Sequence, residues 1–551
     1  MALADHARQL RVTTADQASA RDQAAIAAGT QSFALMLAAG TRSAEVIVRD
    51  CADQLAHGVA VFAGAGNNGG DAYVVAAQLA RAGVRVSLVV VAPPATPDAQ
   101  RAAGFAHARA GTSTTALLHV GAPSGRERVV VDGVLGTGFR ETILRDAVRI
   151  ALAQMAALRD AGATVVALDV PSGLNASDGT IAEGSVPATM TLSYGTPKRG
   201  QLFARAHVGR LVVLDIGLGE HVDLGDDAWH VDTARSVAAR VPPMAWNTHK
   251  GRRGHLLIVG GDTRMAGAVV LSTRGAVRGG VGVVSACVDA ASVAAMQSAV
   301  PQAITTSWAD LSQRSARTVQ AIAAGPGLGT SDRARAALAQ LLSRHPHCPV
   351  VLDADALNIV AGPHAKDHSE ASADYASRVR AWCGDDRDVV CTPHPREFER
   401  LSGSPLSNAW DERVRAVVAF ANAARVTVLL KGTPTVVVAP TSLGQGSRVV
   451  VVPRGSAVLA TGGSGDVLTG IIGALLAQGA SAADAAIVGA TVHGLAAEAV
   501  AAHTGTVLGL SISDVLAALP DAWATLLRPA PNECGVLLEL PAPIAPATVM
   551  R

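Results

Sequence analysis

Three stretches in the first half of the chain bring together side chains that can do chemistry. Gly64-Ala65-Gly66-Asn67-Asn68-Gly69-Gly70-Asp71 sets a pair of side-chain amides and a carboxylate in a glycine-rich run. Glycine lets a backbone approach a phosphate closely, and amides at a helix start face an anion. Val131-Asp132-Gly133-Val134-Leu135-Gly136-Thr137-Gly138 and Leu168-Asp169-Val170-Pro171-Ser172-Gly173 each add an acid beside glycine. The oxygens of Asn68, Asp132 and Ser172 together suit a hard cation. One carboxylate among them suits a monovalent ion better than zinc or calcium. Taken singly, each acid is as readily a helix cap or a turn aspartate. Asp169 is the candidate general acid/base.

The second half carries a different set. Gly325-Pro326-Gly327-Leu328-Gly329 can bring amides against a phosphate. Leu352-Asp353-Ala354-Asp355-Ala356-Leu357-Asn358 supplies two carboxylates, and Lys431-Gly432-Thr433-Pro434-Thr435 a cation with hydroxyls. Ala460-Thr461-Gly462-Gly463-Ser464-Gly465-Asp466 runs into the apolar stretch 467–476, which sets an acid beside an anion hole at a helix start. Phosphoryl transfer to an alcohol needs such a base and such donors.

Positioning these groups falls to strands that alternate with helices. In the first half β-branched runs at Val59–Ala63, Val84–Val91, Val129–Val131, Val165–Val170 and Leu211–Ile216 are separated by Ala-rich helical stretches. The leading segment 13–51 has helical periodicity without strand signals. After Val241-Pro242-Pro243 the rhythm restarts with strands at His255–Val259, Gly282–Ala286, Ala321–Ala324, Val350–Leu352, Val389–Cys391 and Val426–Leu430. Alternation of this kind implies crossover connections and mostly parallel, covered sheets, with ligands at the carboxyl ends of the strands. The expected fold is α/β, with two three-layer α/β/α domains at 1–232 and 240–527 and a loose Pro-rich tail at 528–551.

Composition narrows the function class. The 551 residues exceed one ordinary core. A formal net charge of +1 gives no electrostatic case for nucleic acid or an anionic membrane as a partner. No uninterrupted apolar stretch reaches the roughly 20 residues a membrane span needs. MALADHARQL lacks the layout of a secretory signal, so the expected location is the cytoplasm. The cysteines Cys51, Cys287, Cys348, Cys383, Cys391 and Cys534 are scattered, which fits reduced thiols and no structural zinc.

Residues 12–220 resemble the NAD(P)H-hydrate epimerases, through Asn67–Asp71, the blocks around Asp132 and Asp169, Tyr194-Gly195-Thr196-Pro197-Lys198 and Leu214-Asp215-Ile216-Gly217. The resemblance implies a Rossmann-like domain that interconverts the R and S hydrates of NADH and NADPH. It implies potassium on Asn68, Asp132 and Ser172, with the hydrate against Asn67, Asn68, Gly69, Gly70, Asp71, Gly136, Thr137, Gly138, Phe139, Arg140, Glu141, Thr142 and Asp169. Met36-Leu37 departs from the family's acid after methionine.

Residues 245–520 resemble the NAD(P)H-hydrate dehydratases of the ribokinase-like superfamily, through 352–358, Thr392-Pro393-His394-Pro395, 431–435 and 463–470. The implied chemistry is phosphorylation of the hydrate's hydroxyl by ADP or ATP with magnesium, then loss of phosphate to give NAD(P)H. Asp466 would be the base, and Ala268, Gly327, Gly329, His394 and Asp466 would meet the hydrate. Lys431, Gly432, Thr433, Pro434, Thr435 and Gly465 would hold the nucleotide. Arg396, Ser464 and the stretch 454–459 depart from the family pattern. Members of the family tend to form homo-oligomers. The alternative is a ribokinase-like small-molecule kinase fused to a non-catalytic nucleotide-binding scaffold.

Overall fold

The computed structural model describes residues 9–108, 117–219, 228–310, 319–362, 372–384, 386–440, 448–528 and 535–544; Cys534 lies outside them. Two compact units result, one of Leu10–Ala228 with Ala530–Pro543, the other holding Trp229–Pro529. Each is a mixed α/β body around a largely parallel sheet.

In the first unit the strands lie side by side as Val536–Leu540, Arg210–Leu214, Met190–Tyr194, Thr164–Leu168, Val129–Gly133, Val59–Ala63, Val86–Val90 and Leu118–Val120. All neighbours are parallel except Val536–Leu540, which runs antiparallel to Arg210–Leu214. Alternate strand residues feed opposite cores. Val59, Val61 and Val131 pack in one cluster, while Ala60, Phe62 and Val130 pack in the other. Helices therefore cover both faces, and the strands read as continuous apolar runs. Register pairs Phe62 with Asp132 and Asp132 with Ala167, so the following turns emerge along one edge.

In the second unit the parallel order is Ile304–Ser307, Val283–Val288, His255–Val259, Ala321–Ala324, Val350–Leu352, Val389–Cys391 and Thr427–Leu430. Thr435–Ala439 and Arg448–Val452 extend it antiparallel, and Trp229–Val231 adds in parallel beside Arg448–Val452. Pairing of Val259 with Ala324, Ala324 with Leu352 and Leu352 with Cys391 aligns the turns that carry the second set of candidate residues.

Two expectations need correction. The tail from 528 is not uniformly loose, because Val536–Leu540 is the edge strand of the first unit's sheet. Trp229–Val231 already belongs to the second unit's sheet, ahead of the proline pair. Among the described residues one helix, Ala482–Thr504, is long and apolar enough to cross a membrane, with Asp484 and Glu498 as its acidic interruptions. Here it is a core helix, with Ile487, Val488 and Val492 buried in the second unit.

The helix Ser464–Ala477 that carries Asp466 packs closely on Ala266–Arg278. A Cβ on Gly470 would stand 1.9 Å from the Ser272 carbonyl oxygen, and one on Gly275 2.4 Å from that of Val467. Only glycine permits this approach. Gly470→Ala is expected to force the helices apart at a cost of about 1–3 kcal/mol. Thermal denaturation checks it: an unchanged midpoint for the second unit would refute the close-packing argument.

Candidate functional sites

A cavity of about 730 Å³ opens at the carboxyl edge of the first sheet, lined among others by Asn67, Asn68, Asp71, the loop 136–141 and Asp169. Gly69, Gly70 and Thr142 are not among its lining residues. Gly69 instead permits backbone packing, since a Cβ there would lie 1.9 Å from the Gly64 carbonyl oxygen.

Under the cavity Asn68, Asp132 and Ser172 meet around Leu135. Asn68 Nδ2 donates to the Leu135 carbonyl at 2.7 Å, and the Leu135 amide donates to Ser172 Oγ at 2.8 Å. Asp132 accepts from the Ser172 hydroxyl at 2.5 Å and from the Ser172 amide at 2.8 Å. Burial raises the Asp132 carboxyl, and the Ser172 bonds oppose that rise. Asn68 Oδ1 is buried without a hydrogen-bond partner. A buried oxygen left without a partner on a residue of this group fits a weakly charged, oxygen-seeking cation. Ser185 braces the turn: its hydroxyl donates to the Ser172 carbonyl at 2.6 Å and lies 2.8 Å from His207 Nε2.

Asp169 adopts a left-handed backbone, φ 60°, at the end of Thr164–Leu168. That conformation is costly for a non-glycine residue and persists where surroundings over-determine it. Here the Asp169 amide donates to Leu192, Gln201 Nε2 donates to the Asp169 carbonyl at 2.6 Å, and Asp169 Oδ1 accepts from the Tyr194 amide at 3.1 Å. Oδ1 is also ion-paired with Lys198, whose buried ammonium donates to Ser193 Oγ at 3.2 Å and the Tyr194 carbonyl at 3.1 Å. Asp22 and Asp71 complete the group. Surrounding protein pushes the Asp22 carboxyl up to about 6, with Lys198 opposing and Asp169 assisting. Burial holds Asp71 well above the usual carboxylate range, with Asp169 and Asp22 adding to it. The cavity thus gathers the carboxyl groups of Asp22, Asp71 and Asp169 beside one ammonium, the equipment of acid–base chemistry. Sequence reasoning missed Asp22 and Lys198 as functional groups. A lysine just after the Met190–Tyr194 strand was the available signal.

In the second unit Gly463, at φ 89°, starts the helix Ser464–Ala477 and puts Asp466 in its first turn beside the free amides. Burial, then Asp353, pushes the Asp466 carboxyl up to about 7, with Lys431 opposing. Lys431 was expected at nucleotide phosphates. Its ammonium lies 2.8 Å from Asp353 Oδ1 and 3.5 Å from Glu397 Oε2. Gly465 lets it come close, since a Cβ there would be 3.3 Å from Lys431 Nζ. Thr435 Oγ1 donates to the Gly432 carbonyl at 3.2 Å, closing the turn 432–435.

Gly327 and Gly329 have positive φ of 58° and 72°. The Gly329 amide donates to Asp355 Oδ2 at 2.8 Å, and a Cβ on Gly327 would come within 3.1 Å of Ala268 Cβ, so these turns adjoin. His394 caps the helix Pro395–Ser402: its amide donates to Glu397 Oε2 at 2.8 Å and its Nδ1 accepts from the Glu397 amide at 3.4 Å. Burial lowers its pKa, which favours the neutral imidazole. The divergent stretch 454–459 is anchored by Glu498, which pairs with Arg454 at 3.0 Å and accepts from the Gly455 amide at 2.8 Å. Glu397 and Thr469 were not foreseen, although an acid three residues after a capping residue was a readable signal. Among the described residues no group of three or more His, Cys, Asp or Glu side chains is arranged to hold a metal.

Residues 256–519 match the family model described as NAD(P)H-hydrate dehydratase, and residues 32–200 match the YjeF-related protein N-terminus. The chain is 31% identical over 503 residues to the bifunctional NAD(P)H-hydrate repair enzyme of Coxiella burnetii, covering 90% of this chain and 95% of that protein. It is 32% identical over 503 residues to the enzyme of the same name from Escherichia coli, covering 90% of each. A solved Bacillus subtilis ADP/ATP-dependent NAD(P)H-hydrate dehydratase, co-crystallised with ATP/Mg2+, superposes with TM-score 0.44 at 27% identity, covering 53% of this chain and 97% of that one.

Lys198 neutralises a carboxylate that its own site has buried. Lys198→Met leaves Asp169 without its cation beside Asp71 and Asp22. The expected cost is about 3–5 kcal/mol. Urea unfolding of the full chain measures it, and a loss below about 1 kcal/mol would show the pair to be dispensable.

Proposed function

The chain belongs to the bifunctional NAD(P)H-hydrate repair enzymes, and from that premise we propose how its two sites divide the work. The first unit epimerises the R and S hydrates; the second dehydrates the S form to NAD(P)H at the expense of ADP or ATP. The observation that carries the reading is Asp466, poised near neutrality at a glycine-led helix start. A base with a pKa near the working pH both accepts and returns a proton efficiently.

In the second unit Asp466 takes the proton of the hydrate's ring hydroxyl as its oxygen attacks the terminal phosphoryl group. A new O–P bond forms, the bond to the nucleotide breaks, and ADP leaves as AMP. The helix amides around Gly465 stabilise the phosphoryl oxygens. Loss of the phosphate with a ring proton then restores the double bond of NAD(P)H. Magnesium supplies charge neutralisation on the nucleotide phosphates. It suits a bound nucleotide and water better than an all-protein cage, and among the described residues no three His, Cys, Asp or Glu side chains are arranged to hold a metal.

In the first unit the hydroxyl-bearing carbon must lose a bond and regain it on the opposite face. Asp169 is the proton-transfer group, with Lys198 fixing its orientation. Asn68, Asp132 and Ser172 would hold potassium, which supplies fixed positive charge at this site. The orphaned Asn68 oxygen supports that assignment.

Two outcomes check the division of labour. Purified protein given NADHX with ADP or ATP should regain NADH absorbance, and Asp466→Asn should reduce that rate by about 100- to 10,000-fold. Interconversion of the epimers, followed chromatographically, should persist in the variant; its loss would contradict two separable sites. Epimerisation should also run faster in potassium than in tetramethylammonium buffer, and Asn68→Ala should abolish the difference. Equal wild-type rates in both buffers would rule the cation out.

A further inference from the structure

Asp353 follows the strand Val350–Leu352 and is almost wholly buried. Both its oxygens are engaged. Oδ1 accepts from the Lys431 ammonium at 2.8 Å, and Oδ2 accepts from the Thr469 hydroxyl at 2.7 Å. Lys431 comes directly after the strand Thr427–Leu430. Thr469 lies on the Asp466 helix, three residues further along, and so on the same face. Gly465 borders the same junction, since a Cβ there would be 3.3 Å from Lys431 Nζ. Two strand ends and one helix start therefore converge on a single carboxylate.

A buried ion pair is a poor way to gain stability, because apolar side chains of similar volume hold elements together as well or better. Its presence beside a catalytic acid calls for an electrostatic use. The charged groups that act on Asp466 are Asp353, Asp355 and Glu397, which disfavour its ionisation, and Lys431, which favours it. Lys431 left without Asp353 would favour the ionised form of Asp466 more strongly.

We propose that Asp353 is a positioning residue of the dehydratase centre: through Thr469 it seats Asp466 at the anion hole, and through Lys431 it balances the charge that Asp466 meets. This rests on the dehydratase reading above. Asp353 is buried, and it acts through the two groups that it holds.

The test follows NADH recovery from S-NADHX with magnesium and ADP, using the full chain between about pH 5 and 9, where the acid limb of kcat/KM reports the free base. Asp353→Asn should lower kcat and move that limb about one unit toward lower pH, since an unbalanced Lys431 favours ionised Asp466. The double variant Asp353→Asn with Lys431→Met removes both charges, so its limb should return toward that of the wild type while kcat stays low. Thr469→Val should lower kcat with no movement of the limb, and Thr469→Ser should restore the rate. A purely structural role would lower rates without moving any limb, and that pattern overturns the proposal. Epimerisation by the same chain reports whether each variant is intact in its other unit, and a thermal melt reports the second. Should Asp353→Asn fail to fold, Glu397→Gln removes the other anion on Lys431; a limb moved to lower pH supports the charge balance, and a fixed one overturns it. Wild-type protein that recovers no NADH with either ADP or ATP would instead sink the dehydratase reading itself.

Discussion

Each unit buries a lysine ammonium against an aspartate at the carboxyl end of a parallel sheet: Lys198 on Asp169 in the first, Lys431 on Asp353 in the second. Taking either charge out of water alone would be prohibitive, so each residue is tolerated only because the other is present. That mutual dependence fixes the surrounding turns. Asp169 holds its strained backbone because Lys198, Tyr194 and Gln201 gather on it. Asp353 likewise draws a strand end and a helix start together. The two pairs differ in use: one anchors a carboxylate that lines a cavity, the other governs Asp466, one helix turn from the Thr469 hydroxyl that bonds Asp353.

The glycines matter where two backbones or a backbone and a charge must meet. Gly470 and Gly275 let the Asp466 helix lie against Ala266–Arg278, and Gly465 lets Lys431 approach the helix start. Without that approach Asp466 would lose the low-polarity surroundings that raise its pKa. The same economy of space operates at Gly69, whose missing side chain lets the Asn68 turn close against Gly64.

Much of this was legible in the chain because βα units announce themselves locally. A β-branched run followed by glycine and an acid marks a strand end, and strand ends in a parallel sheet share an edge. Asn68, Asp132 and Ser172 could be grouped on that ground, and so could Asp466 with its anion hole. What escaped was set by distant pairing. Val536–Leu540 is short and follows a Pro-rich stretch, and nothing near it says that its partner is Arg210–Leu214, more than 300 residues earlier. Trp229–Val231 is three residues long and finds its sheet only beside Arg448–Val452. The ion pairs of Lys431 with Asp353 and Glu397 also escaped, because a sequence shows a cation but not the carboxylates that the fold brings to it.

The strand Val536–Leu540 has a temporal consequence. A ribosome releases the chain from its N-terminus, so the rest of the first unit emerges long before the strand that borders Arg210–Leu214. Throughout the synthesis of the second unit, that row of amides and carbonyls in Arg-Leu-Val-Val-Leu stays open, an invitation to pairing with a neighbouring nascent chain. This strand is thus a seal applied after the other described strands of both sheets have been made. A fragment trimmed at the boundary between the units would carry every candidate residue of the first site and still lack that seal.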